Sequence, residues 1–110
     1  MSTSEEQLDH VFHALSDRTR RAMLARLSQG PAKVTELAEP FHMSLPAVSK
    51  HLKVLERADL VQRRVDGRVH RCSLGARPLK DVDGWLDDYR AFWQGTLDSL
   101  AHFVEDDAGR

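Results

Sequence analysis

A mainly α-helical chain with one small β-hairpin is the fold class the sequence predicts, and three observations predict it. Apolar residues recur at spacings of three and four through most of the 110 residues, the period of a helix with one buried side. One stretch, LVQRRVDGRVHRCSL (60–74), switches to near-alternation around Asp66-Gly67, the strongest short hairpin signal. Cap and stop residues divide these runs: Ser or Asp before a helical segment, Gly and Pro after it. A single cysteine, Cys72, leaves neither a disulfide framework nor a cysteine cluster for a zinc module.

SEEQLDHVFHAL (4–15) sets Leu8, Val11, Phe12 and Leu15 on one side of a first helix, with Ser4 as a cap and two glutamates where the helix dipole favours anions. Ser16 or Asp17 caps a second helix, whose inner side is Ala22, Leu24 and Leu27 and whose stop is Gly30-Pro31. VTELAEPF is a short third helix, limited in length by Pro40. Ser44 caps the fourth, and Pro46 sits in its first turn, where a missing N–H costs nothing. Leu45, Val48, Leu52 and Leu55 form its buried stripe, leaving small residues and cations on the other face. The hairpin follows, with Arg63, Arg64, Arg68, His70 and Arg71 making it a basic wing.

From Pro78 onward one apolar stripe persists for more than five turns, so a last helix over 78–105 would run about 40 Å at 1.5 Å per residue. Gly84 and Gly95 each weaken it by about 1 kcal/mol relative to alanine and mark the places for a kink or break. The chain therefore reads as one domain, 1–110, with a body over 1–77 and this terminal helix. Such a body is too small to cover the stripe, and the stripe holds both tryptophans, as a buried subunit interface would. The expected dimer interface is Leu8 and Phe12 on the first helix with Trp85, Tyr89, Phe92, Trp93, Leu97, Leu100 and Val104 on the last. A small apolar pocket between subunits would suit an organic effector.

The formal net charge of -1 hides a strong asymmetry. Residues 43–77 hold eight Lys/Arg against three Asp/Glu, and residues 78–110 hold three against eight. Phosphate binding depends on the local field, so the basic block is a nucleic-acid footprint despite the acidic total. Nothing approaches the ~18 apolar residues of a membrane span, and the acidic start MSTSEEQLDH is unlike a secretory leader. The cytoplasm is the expected compartment and no membrane partner is expected.

Helix, helix, short helix, capped helix, hairpin, helix is the winged helix-turn-helix order. ALSDRTRRAMLARL, followed by VTELAEPFHMSLPAVSKHLKVLERADLVQRRVDGR, resembles the ArsR family of bacterial transcriptional regulators over about residues 10–75. WLDDYRAFWQGTLDSL resembles the branch often encoded beside START-like lipid-binding or stress-response proteins. The resemblance implies a homodimer that represses its own operon at an inverted-repeat operator in double-stranded DNA. It places Leu45, Pro46, Ser49, Lys50 and Lys53 at base edges and phosphates, and Arg63, Arg64, Arg68 and Arg71 on the wing. His51 joins the DNA-facing set by its place on the same helix. With apolar Leu45 and Pro46 leading, base reading would lean on thymine methyls, Ser49 and DNA shape.

Many members of the family sense metals through cysteines on the third helix or an Asp, His, His and Glu set on the last. Here the third helix reads ELAEPF, and the last keeps only His102 and Glu105 as an i, i+3 pair. Zinc prefers four ligands, so no metal or other cofactor is expected; His10 and His13 on the first helix are the remaining zinc candidates. The competing readings are a metal-responsive repressor using these histidines and a winged-helix protein-interaction module that has lost DNA. No nucleophile with a nearby base, paired carboxylates or Gly-rich phosphate loop appears, so an enzyme is not expected.

Overall fold

The computed structural model describes residues 5–108, so the expected cap Ser4 lies outside the described residues. Helices α1 (Glu5–Leu15) and α2 (Arg18–Leu27) lead to a two-residue strand β1 (Ala32–Lys33). Then come α3 (Val34–Ala38), a 3-10 turn over Glu39–Phe41, α4 (Leu45–Arg57), β2 (Val61–Asp66), β3 (Val69–Leu74) and α5 (Ala76–Ala108). The chain divides into two compact units, one up to Leu79 and one from Lys80.

Asp17 is the residue that caps α2, its carboxylate accepting from the Arg20 N–H at 3.0 Å. The neighbouring arginines close the end of α1: Arg20 donates to the carbonyls of Ala14 (2.8 Å) and His13 (3.0 Å), and Arg21 to that of Leu15 (2.8 Å). The arginines thus satisfy the Ala14 and Leu15 carbonyls at the helix end, and the His13 carbonyl accepts from the Ser16 N–H and Oγ as well. Pro40 does not stop α3 outright; the chain tightens into the 3-10 turn that contains it and leaves through His42, which takes a left-handed conformation (φ 53°).

The core of the first unit is built where these elements meet. Val11 and Ala14 of α1, Met23, Leu24 and Leu27 of α2, Leu37 of α3, and Val48, Leu52 and Leu55 of α4 are all buried. One expectation fails here: Ala22 is exposed and Met23 takes its place. On α1, Val11 and Ala14 are buried, Leu8 and Leu15 are half-buried, and Phe12 is exposed.

α4 ends in a Schellman arrangement: the Leu60 N–H donates to Leu55 O (2.9 Å) and that of Asp59 to Glu56 O (2.9 Å), with Asp59 at φ 59°. Leu60, fully buried beside Leu55, turns the chain into β2. A Cβ on Gly75 would lie 2.2 Å from Asp59 O, so only glycine lets the chain leave β3 this close to that turn.

The hairpin forms, shifted by one residue from the expected turn. Asp66 pairs with Val69 inside the ladder, so the two-residue loop is Gly67-Arg68 rather than Asp66-Gly67. Gly67 has φ 63° and Arg68 does not have a positive φ, the pattern of a type II′ turn, which favours glycine first. A third strand, absent from the expectations, completes the sheet in the order β1-β3-β2, with Ala32 opposite Cys72. Two residues are too few for alternation to reveal a strand.

α5 begins at Ala76, two residues before Pro78, which occupies its first turn, and it runs unbroken through Gly84 and Gly95. The sequence left a break at either glycine open, and none occurs; their cost is small against the rest of a 33-residue helix.

Candidate nucleic-acid interface

The capped start of α4 sets its geometry. Ser44 Oγ accepts from the Ala47 N–H at 3.3 Å, and Pro46 follows in the first turn. With Val48, Leu52 and Leu55 buried, Pro46, Lys50 and Lys53 stand on the exposed face at helical spacing. Leu45 leaves the stripe the sequence assigned it to: at 52% exposure it lies in the open at the first helical position. Arg57 continues the exposed row one turn after Lys53, a cation the sequence reading missed although the 46, 50, 53, 57 spacing signalled it.

His51 is placed differently. Its side chain is 20% exposed, with Nδ1 3.3 Å from Arg20 Nη1 and 3.9 Å from Asp17 Oδ2. Nδ1 thus lies between a guanidinium and a carboxylate of the α1–α2 corner. The residue joins α4 to the α1–α2 corner instead of standing on the face with Lys50 and Lys53. The Asp17 carboxyl is held below the ordinary carboxylate range, chiefly by the Arg20 backbone N–H and further by the Arg20 and His51 charges.

The register sorts the wing cations onto two faces, because side chains alternate along a strand. Arg63 lies on the inner face, where Nη2 and Nε donate to Glu56 Oε1 of α4 at 2.6 and 3.0 Å. That bond ties the wing to α4 and occupies the guanidinium expected at phosphates. Arg64 and Arg71 are opposite each other on the outer face. Arg68 is exposed at the turn. Cys72, inner and fully buried, has its thiol pushed above the usual range by burial, which suits a packed small side chain better than a redox centre.

A groove of about 490 Å³ lies between α3, the start of α4 and the wing, lined among others by Lys33, Thr35, Leu45, Ser49, Arg68 and His70. It brings Leu45 and Ser49 together with Arg68 and adds Lys33 and Thr35, which no sequence pattern singled out because they come from another element. His70 Nδ1 is buried there and finds no hydrogen-bond partner among the described residues.

The second unit carries the long stripe. Along α5, exposure runs from 38% at Leu86 to 69% at Phe103, with Trp85, Tyr89, Phe92, Trp93, Leu97, Leu100 and Val104 between. Trp85 and Tyr89 rings lie 4.6 Å apart, and Phe92 meets Trp93 edge-on at 5.7 Å. His102 and Glu105 line a shallow depression with Asp98, while His10 is half-buried and His13 exposed on α1. Among the described residues no three His, Cys, Asp or Glu side chains form a metal-holding group.

Comparison with known proteins places this arrangement. The family model described as "Bacterial regulatory protein, arsR family" matches residues 17–63. The HTH-type transcriptional regulator Rv2034 of Mycobacterium tuberculosis is 40% identical over 97 residues, 88% of either chain. The crystal structure of an ArsR family transcriptional regulator, RHA00566, superposes with a TM-score of 0.79 at 44% identity, covering 86% of this chain and 97% of that one. The homodimeric winged helix-turn-helix DNA-binding domain Mb0332 of Mycobacterium bovis, solved by NMR, gives 0.62 at 25% identity over 81% and 93%. Its capped, basic α4, its wing and these relatives together make the chain a member of the bacterial ArsR family, a DNA-binding transcriptional regulator rather than an enzyme.

Proposed function

We propose that the chain acts as a homodimeric repressor of its own operon, binding an inverted-repeat operator with α4 of each subunit in a major groove. The observation that carries the reading is the single groove flanked by the start of α4 and by Arg68 of the wing. On the DNA, Leu45 and Pro46 meet thymine methyls, Ser49 a base edge or phosphate, and Lys50, Lys53 and Arg68 the backbone. Half-sites lie about one helical turn, ~34 Å, or a small multiple apart. Dimerisation through the exposed α5 stripe is supported by its aromatic content and by the homodimeric Mb0332 domain. A DNA-binding repressor works in the cytoplasm, and among the described residues no helix is long and apolar enough to cross a membrane.

The direct test is binding of the purified protein to its own upstream DNA as a function of salt, with zinc and with a chelator. Tight, salt-dependent binding indifferent to zinc is expected. Lys50→Ala and Arg68→Ala should each weaken binding to all sequences alike and lower the salt slope by about one per contact. Unchanged slopes would remove these residues from the interface, and a zinc-dependent affinity would bring the histidine pairs back as a sensor.

A further inference from the structure

We propose that the groove between α3, the start of α4 and the wing binds a small organic carboxylate with an apolar body, and that this ligand competes with DNA; the competition rests on the DNA-binding reading above. The groove holds about 490 Å³, within the roughly 300–1,000 Å³ of small-molecule sites. Its walls are of two kinds. Val34, Leu45 and Val69 are apolar, and Leu45 and Val69 stand 52% and 39% exposed. A phosphate gains nothing from Val34 and Val69, whereas an apolar ligand body takes them out of water.

The other wall is polar and positive. Lys33 and Arg68 bring cations to the groove, and neither has an ion-pair partner among the described residues. Thr35 and Ser49 add hydroxyls that no hydrogen bond among the described residues engages. Arg63 also lines it, but its charge is met by Glu56 at 2.6 Å, and no Asp or Glu is among the described lining residues. The unmatched charge is therefore positive, which rules out a metal ion and selects an anion. A carboxylate accepts at both oxygens from such cations and hydroxyls while its body lies along Val34, Leu45 and Val69.

The fold fixes both sides of this groove before a ligand arrives. Lys33 is paired with Arg71 of β3, and its N–H donates to Glu36 Oε1 at 3.0 Å. The Arg63–Glu56 bond ties the wing to α4. Little ordering cost is then left for binding. Leu45, Ser49 and Arg68 line the groove and also serve the proposed DNA contacts, so ligand and operator exclude one another. The effector site lies within each subunit rather than between two.

The probe is phenylacetate, with phenylethanol as its uncharged counterpart and sodium acetate at equal concentration as the control for ionic strength. Backbone amide NMR shifts of the free protein should move at Val34, Thr35, Leu45, Ser49 and Val69 and saturate with a Kd on the order of 1 mM, as a ligand of this size allows. The alcohol should bind about tenfold more weakly, having lost its charge-assisted hydrogen bonds, and acetate should leave these amides in place. Lys33→Gln, whose own spectrum shows that it folds, should weaken the acid about threefold and the alcohol hardly at all. At ten times its Kd, phenylacetate should lower affinity for the chain's own upstream DNA by about tenfold more than acetate does. Groove amides that do not move, shifts confined to α5, or an alcohol that binds as tightly as the acid each overturn the site. Groove binding that leaves DNA affinity at the acetate level overturns the competition. Protein that binds no upstream DNA even without ligand defeats instead the DNA-binding reading, while the amide shifts still decide the site.

Discussion

Two stripes of apolar residues, alike in the sequence, meet opposite fates in this molecule. On α4 the stripe Val48, Leu52 and Leu55 is wholly buried, closed over by residues of α1, α2 and α3. On α5 the residues from Trp85 to Val104 keep the same three-and-four spacing and remain more than a third exposed. Helical periodicity states that one side wants to leave water; it does not state whether the chain itself or another copy provides the cover. The charges divide along the same line, with the basic residues around α4 and the wing and the acidic ones along α5.

The sharpest way to separate the two stripes is to damage each in turn. Leu52→Ala, in a fully buried position, should cost 2–5 kcal/mol and lower the denaturant midpoint of the first unit; a loss under about 1 kcal/mol would mean that the core is not where the burial puts it. Leu97→Glu should leave that midpoint almost unchanged but weaken self-association by about 2 kcal/mol or more, because it puts a charge at the centre of the proposed interface. Sedimentation at several concentrations would detect this, and a mutant dimer as tight as wild type would break the comparison outright.

The smallest effect tests the corner that anchors α4 to α1 and α2. Asp17→Ala removes the α2 cap and should cost about 1 kcal/mol at pH 7. The Asp17 carboxyl titrates below its ordinary value near 3.8. Its charge therefore stabilises the fold fully above that value, and the contribution is lost as pH falls through the lower folded-state pKa. The gap between wild type and Asp17→Ala should accordingly be constant from pH 7 down to about 5 and close in stronger acid. A gap that widens on acidification would show that the carboxylate is not the stabilising form.

How much of the interface was legible depended on whether neighbours in space were neighbours in sequence. Ser44, Pro46, Lys50 and Lys53 could be read directly, since a cap and a helical period lie within one element. His51, on the same helix, could not: its contact is Arg20, 31 positions earlier. The wing arginines look equivalent as a cluster of cations, yet one residue of pleat separates Arg63, bound to Glu56, from Arg64 on the opposite face. The hairpin turn slipped by one for a related reason. Asp66-Gly67 is a good type I′ pair, but the register that seats Val61 and Cys72 inward puts Gly67 first in the loop.

The sequence by itself determined the order of elements, the cap at Ser44, the basic middle and acidic end, and the periodic stripe of α5. These are local properties, set by backbone propensity, side-chain period and the sum of charges over a segment. Only the tertiary structure decided that Met23 rather than Ala22 enters the core, that Ala32 and Lys33 add a third strand, and that Arg20 is spent on the end of α1. It also decided which cations remain free on α4 and which face of the wing each arginine takes. Each of those outcomes is a competition among groups distant along the chain for the same buried space or hydrogen-bonding partner, and the winner appears only once the elements are packed.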